Sequence, residues 1–188
     1  MNIDRKSTYQ VTLQSQLFIL KEIGIRSLVL VVGMIVVVHF RHGEYWADIL
    51  FAFELSLIII ALDAIPCAVL HYQYYNHDKG VKLGIDGVTR TITLEGIHES
   101  HLLHFDEIES IRIVLAGELF DGAKRGWYAL EQYHYAVIET KNNKRFIITC
   151  LLLNDLRNVF SRYGLTVNWE RRGFPLLSRE KTKSADGW

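Results

Sequence analysis

The sequence predicts an α-helical membrane hairpin joined to an α+β domain of short antiparallel strands closed by one helix. Three observations predict it. Apolar residues crowd into the stretch from Ile23 to Leu70 as two long runs parted by a short connector. From Tyr75 onward the pattern changes to short alternating segments punctuated by Asp86-Gly87 and Asn142-Asn143, residue pairs typical of strand-to-strand turns. Finally, Asn154 to Gly164 carries apolar residues at three- and four-residue spacing, the mark of one helical face.

The N-terminal arm, residues 1–22, comes first. Tyr9 to Glu22 reads YQVTLQSQLFILKE. Its early alternation suits a strand, whereas Leu13, Leu17 and Leu20 share one helical face. An amphipathic helix at the membrane interface is the expectation for this arm.

The hairpin occupies residues 23–71. Ile25 to Phe40 (IRSLVLVVGMIVVVHF) and Ala47 to Leu70 (ADILFAFELSLIIIALDAIPCAVL) are the two apolar runs. Each is far longer than a strand of about 5–6 residues, and a bilayer span takes about 20 apolar residues. The second run is long enough. The first is short and must recruit Ile23 and Gly24, which places the spans at about 23–40 and 47–70. A signal peptide fits poorly, because the apolar run begins late and no small-x-small cleavage site precedes the second run. Pro66 is expected to kink the second helix.

The 21 basic and 21 acidic residues cancel, but they are segregated. Arg5, Lys6, Lys21 and Arg26 precede the first run, the connector holds only Arg41, and Lys79, Lys82 and Arg90 follow the second. Positive residues stay in the cytoplasm. Both termini are therefore expected there, in a multi-pass protein of the cell (inner) membrane. Tyr45 and Trp46 in the connector suit the headgroup boundary.

Among the ionisable side chains of the apolar runs, Arg26, Glu54 and Asp63 stand out. Intramembrane carboxylates are expensive and usually pair or face protein. In an antiparallel hairpin turning near Glu44, Asp63 falls level with Arg26 and a salt bridge is expected, while Glu54 falls level with Met34. The two acids are nine positions apart, about 900° at 100° per residue, so they lie on opposite faces. They form no paired carboxylate site.

The soluble domain is expected over residues 78–169, with a polar basic tail over 170–188. Lys82–Asp86 (KLGID) and Thr89–Glu95 (TRTITLE) form a hairpin across Gly87, which accepts positive φ without steric cost. HLLHF and IESIRIV follow within His101–Val114, then the three-glycine loop Gly117–Gly126. Tyr133–Thr140 and Arg145–Leu151 make a second hairpin around Lys141-Asn-Asn-Lys. In the closing helix Asn154 is the expected N-cap, Asp155 favours the helix start and Gly164 ends it. Leu156, Val159, Phe160 and Tyr163 form its apolar face.

The layout of Lys82–Glu95, Phe105–Val114, Tyr133–Leu151 and Asn154–Gly164 behind two spans resembles the bacterial membrane-anchored proteins with a pleckstrin-homology (PH)-like domain. The resemblance implies a bent β-barrel of about seven antiparallel strands capped by the C-terminal helix. It implies a scaffold or interaction module rather than an enzyme. Phosphoinositide-binding PH domains present a basic cluster around their first hairpin. Here Lys82 and Arg90 stand apart and the turn is tight, so specific phosphoinositide binding is not expected.

Other chemistry finds little support. His98, His101 and His104 form HESHLLH, but on a strand His101 points opposite the other two, and a metal site needs converging ligands. Zinc-protease, Walker, dinucleotide and nucleophile-elbow motifs do not occur, so no cofactor is expected. Lys124 and Arg125 beside Trp127 sit on a loop where lipid or a partner could touch them. Cys67 and Cys150 lack metal or disulfide spacing. The near-neutral domain gives no footprint for nucleic acid. The expected function is a scaffold that holds a membrane protein partner or a homo-oligomer at the cytoplasmic face of the bilayer. The alternative is a small transport or sensing subunit working through Glu54 and Asp63.

Overall fold

The structure is a computed structural model that describes residues 6–42, 46–96, 99–116 and 132–177. Strand β1 (Ser7–Gln10) is followed by helices α1 (Leu13–His42) and α2 (Trp46–Asp78). Then come β2 (Lys82–Asp86), β3 (Thr91–Glu95), β4 (Ser100–His104), a 3-10 turn (Phe105–Glu107), β5 (Ile108–Ala116), β6 (Tyr135–Thr140), β7 (Arg145–Thr149), α3 (Leu156–Arg162) and β8 (Val167–Arg172).

The two long helices pack against each other as a hairpin. Thr12 starts α1: its Oγ1 accepts from Ser15 N at 3.1 Å, and Ser15 Oγ accepts from Thr12 N at 3.1 Å. This reciprocal pair satisfies two donors that a helix start would otherwise leave open. At 1.5 Å per residue, 30 and 33 residues give lengths of about 45 and 50 Å. Among the described residues, small side chains, Ala52 and Ser56, are buried in the first half of α2, and small residues let helices approach closely. α2 runs unbroken through Pro66. Among the described residues, the stretch Leu50–Asp78 is long and apolar enough to cross a bilayer, and a shorter apolar stretch, Gly24–Val38, lies in α1. Where two spans were expected, the first of them short, one helix among the described residues, α2, meets the length criterion.

The strands form two four-stranded sheets, ordered β1-β2-β3-β4 and β7-β6-β5-β8. The first is an antiparallel meander. In the second, β5 pairs antiparallel with β6 and parallel with β8. Leu83, Ile92, Ile111, Ile113, Ile138 and Ile148 fill the core between the sheets, and Leu156, Val159 and Phe160 of α3 pack onto it. The second sheet is apolar on both faces. Ala136 and Ile138 of β6 face that core, whereas Tyr135 and Val137 face the base of α2. Strands buried on both sides read as near-continuous apolar runs, as β5 and β6 do.

Several expectations change. Tyr9 and Gln10 are not the start of an amphipathic helix. They belong to β1, whose register pairs Gln10 with Lys82 and Ser7 with Ile85. Four main-chain partners outweigh the helical period, which governs only from Leu13 onward. The hairpin therefore does not precede the strand domain. It is an insertion between the first two strands of a sheet. At the other end, β8 continues through Glu170, Arg171 and Arg172, so those residues are strand rather than tail, and they pair in parallel instead of antiparallel. Among the described residues eight strands stand where about seven were expected, in an α+β layout compatible with a PH-like fold.

Two local details differ as well. Asp86 pairs with Thr91, so the β2–β3 loop has four residues, and the left-handed residue is Arg90 (φ 52°) rather than Gly87. The Asp86 carboxylate closes the loop by accepting from Val88 N (2.8 Å) and Thr89 N (3.2 Å). The N-cap of α3 is Asp155, which accepts from Asn158 N, and not Asn154. Gly164 does end the helix with φ +71°.

Candidate functional site

The joint between α2 and the second sheet is the most elaborate polar arrangement among the described residues. Cys67, Leu70 and Tyr74 on successive turns of α2 are buried against Val114, Tyr133, Tyr135, Val137 and Leu151. Tyr74 meets Tyr133 edge-on at 5.4 Å between centroids and Tyr135 at 6.3 Å. Its hydroxyl donates to the Pro175 carbonyl at 2.8 Å. His71 Nδ1 lies 3.2 Å from the Tyr133 hydroxyl. At the helix end Asp78 is wholly buried. Its carboxylate accepts from Thr149 Oγ1 and lies 2.8 Å from His77 Nδ1. A buried carboxylate is tolerated where such partners replace water. The joint fixes the strand domain to the helical hairpin instead of leaving it on a tether.

Below it, Arg172 donates to the Tyr135 hydroxyl (2.8 Å) and to Glu170 (2.6 Å), which also accepts from Arg112. Burial pushes the Glu170 carboxyl up, but the hydrogen bonds from Arg172 and Arg112 win and hold it below the usual range. On the neighbouring edge His134 lies within hydrogen-bond distance of the Gln132 and Asn154 carbonyls. Burial nonetheless lowers its imidazole below the ordinary value. Cys150 is a free, buried thiol that burial pushes up to about 12; Cys67 is likewise free and buried.

The residues singled out in the sequence are mostly kept apart. Glu54 is exposed on the outer side of α2, while Asp63 is half-buried on the side of Ala52 and Ser56. The charges of Asp63 and Arg26 both act on the Cys67 thiol, so the two lie in one neighbourhood; Glu54 does not join them. His104 points outward and is exposed, whereas His101 is half-buried with its ring 5.2 Å from Phe146. They lie on opposite faces of β4, and His98 lies outside the described residues. Among the described residues no three His, Cys, Asp or Glu side chains are grouped to hold a metal. Lys124, Arg125 and Trp127 also lie outside the described residues. Arg90 is engaged within its own domain, 5.5 Å above the Phe105 ring and 3.6 Å from Asp106.

A shallow cleft opens where β4 and β7, the free edges of the two sheets, diverge. His101, Leu103, Glu107, Thr140, Lys144 and Phe146 line it. Its volume of about 140 Å³ is below the roughly 300–1,000 Å³ of ordinary ligand pockets. The cleft mixes one carboxylate with one ammonium and offers no nucleophile–base pair.

Sequence reasoning missed the joint. Its aromatic members stand in two visible clusters, Tyr72-Gln-Tyr-Tyr75 and Tyr133-His-Tyr135, but nothing local shows that the clusters meet. In comparisons with known proteins, residues 8–157 match the family model described as PH domain. No curated protein and no solved structure matches the chain. The matched span starts within β1 and ends within α3, and so includes the helical hairpin.

Proposed function

The chain belongs to the PH-domain family, and from that premise we propose that it is a non-enzymatic, membrane-anchored interaction module. PH domains are generally interaction modules without catalytic activity, and they commonly engage proteins or lipids. In this reading α1 and α2 insert into the cell membrane as a hairpin, with both termini in the cytoplasm. The strand domain is held at the cytoplasmic face and offers its surface to a membrane protein partner or a second copy.

One observation carries the reading. Among the described residues, every exposed large hydrophobic side chain lies on α1 or α2 except Val88, Leu102 and Trp169. The outer surface of the hairpin is largely apolar and exposed among the described residues, and contiguous apolar surface on this scale marks an interaction with membrane or protein. Lys21, Lys79 and Lys82 lie toward the end of the hairpin that carries the domain, consistent with basic residues staying on the cytoplasmic side. α1 supports insertion through its pairing with α2, not through its own apolar length.

Membrane fractionation and topology reporters test this. The chain is expected to stay with the lipid after alkaline carbonate extraction. A reporter after Trp188 should read cytoplasm, and one at Gly43 the outside. Extraction into the soluble fraction would remove the anchor, and inverted reporters would remove the orientation.

A further inference from the structure

α2 meets α1 through Ala52 and Ser56. Glu54 is two residues from each, about 200° round the helix, so it points away from the hairpin seam. It is exposed, with exposed Leu50, Leu57 and Ile58 within one turn of it. Among the described residues Glu54 has no hydrogen-bond or ion-pair partner. It sits eight residues below the start of α2, about 12 Å from that end. Arg26 offers no help. It lies 16 residues below the end of α1, about 24 Å and so twice as deep.

We propose that the outer face of α2 around Glu54 docks a transmembrane helix of another membrane protein that carries a lysine or arginine at matching depth. The proposal rests on insertion of the hairpin. Ionisable side chains within a span are expensive unless they face protein and pair, and this one faces away from its own chain. Charge complementarity then specifies a cation on the occupant. A second copy of this chain is a poorer fit, because a symmetric contact through this face sets Glu54 against its own twin. The apolar residues around Glu54 supply the packing surface, and the carboxylate supplies register and choice of partner.

The test uses the purified full chain in lipid vesicles with a synthetic polyleucine transmembrane helix. That helix carries one lysine about 12 Å below its outer end, and a control peptide has leucine there. Energy transfer between labelled chain and labelled peptide reports association. The lysine peptide should bind about three- to thirtyfold tighter than the control, the range of interhelical polar contacts. Glu54→Gln should bring the two peptides level, while Asp63→Asn should keep the preference. Equal binding of both peptides to the natural chain, or a preference that survives Glu54→Gln, overturns the proposal. Self-association of the chain that is lost in Glu54→Gln also overturns it, by making a second copy the occupant. Flotation of the same vesicles separates the two readings. A chain that does not float with lipid fails at insertion, whereas one that floats and shows no preference fails only at this docking face.

Discussion

Asp78, buried, and His134, half-buried, show how much of this protein is settled by single polar groups. Removing one partner of a buried, hydrogen-bonded group leaves the other unsatisfied, at a cost of about 1–3 kcal/mol. Thr149→Val takes away the hydroxyl that donates to Asp78 and should lower stability by about that amount, read as a fall in the thermal midpoint in detergent. His134 carries a pH dependence. Burial lowers its folded-state value below the ordinary imidazole value of about 6.5, so folding favours the neutral ring. The stability this gives is present above pH of about 6.5 and is lost as pH falls below it, because the unfolded chain takes up the proton first. His134→Gln should flatten that part of the acid limb in denaturant titrations at a series of pH values. Neither role shows in the sequence. Asp78 is the last residue before a Lys-Gly turn, and His134 lies between two tyrosines, contexts as common on surfaces as in cores.

Elements were legible where their signal is local and illegible where the partner is distant. The β2–β3 and β6–β7 hairpins and α3 follow from turn residues and periodicity within a dozen positions. β1 is four residues long, and its partner strand lies about 70 residues away. β8 joins β5 in parallel across more than 50 residues. No window of sequence contains both halves of either pair. The turn at Asp86 was legible as a position but not as a mechanism, since a side-chain carboxylate rather than a glycine closes it. Two predictions belong at this scale. The fragment 78–169 omits β1, half of β8 and the base of α2 that covers Tyr133 and Tyr135. It should show no cooperative unfolding by circular dichroism, although it holds most of the strands. Within the hairpin, Asp63→Asn and Arg26→Gln should each destabilise, and the double variant should recover part of the loss. Strictly additive losses in that double-mutant cycle would show that the two do not couple.

At the scale of the whole molecule, the domain and hairpin behave as one body because they share a sheet and a buried joint. Whatever docks on the domain therefore meets it at a set distance and orientation from the hairpin. The same arrangement bears on lipid recognition. The β2–β3 loop is short, and Arg90 is turned to Phe105 and Asp106, which leaves no basic cluster at that turn. Soluble inositol phosphates should bind the full chain in detergent weakly, without preference over other anions. The signal should fade with salt, since exposed charges are screened beyond about 8–10 Å near physiological ionic strength. Lys124→Ser with Arg125→Ser should weaken it further. Saturable, salt-resistant binding of one inositol phosphate in calorimetry would make the domain a specific lipid receptor instead. The two-part organisation was legible in the abrupt change of pattern after Tyr75, but the way the parts interlock was not, because that depends on β1 reaching past the helices.

The hairpin standing between β1 and β2 has a consequence for biosynthesis. β1 leaves the ribosome first, yet its partner strand emerges only after both helices have been made. Holding Gln10 beside Lys82 through a flexible loop of that length would carry a large closure entropy. Once α1 and α2 are formed and paired, the two points are already neighbours, and the effective loop shrinks to a few residues at each helix end. Pairing of the helices thus templates completion of the first sheet. A chain whose helices fail to pair should leave β1 unpaired, with the open edge of β2 exposed to aggregation.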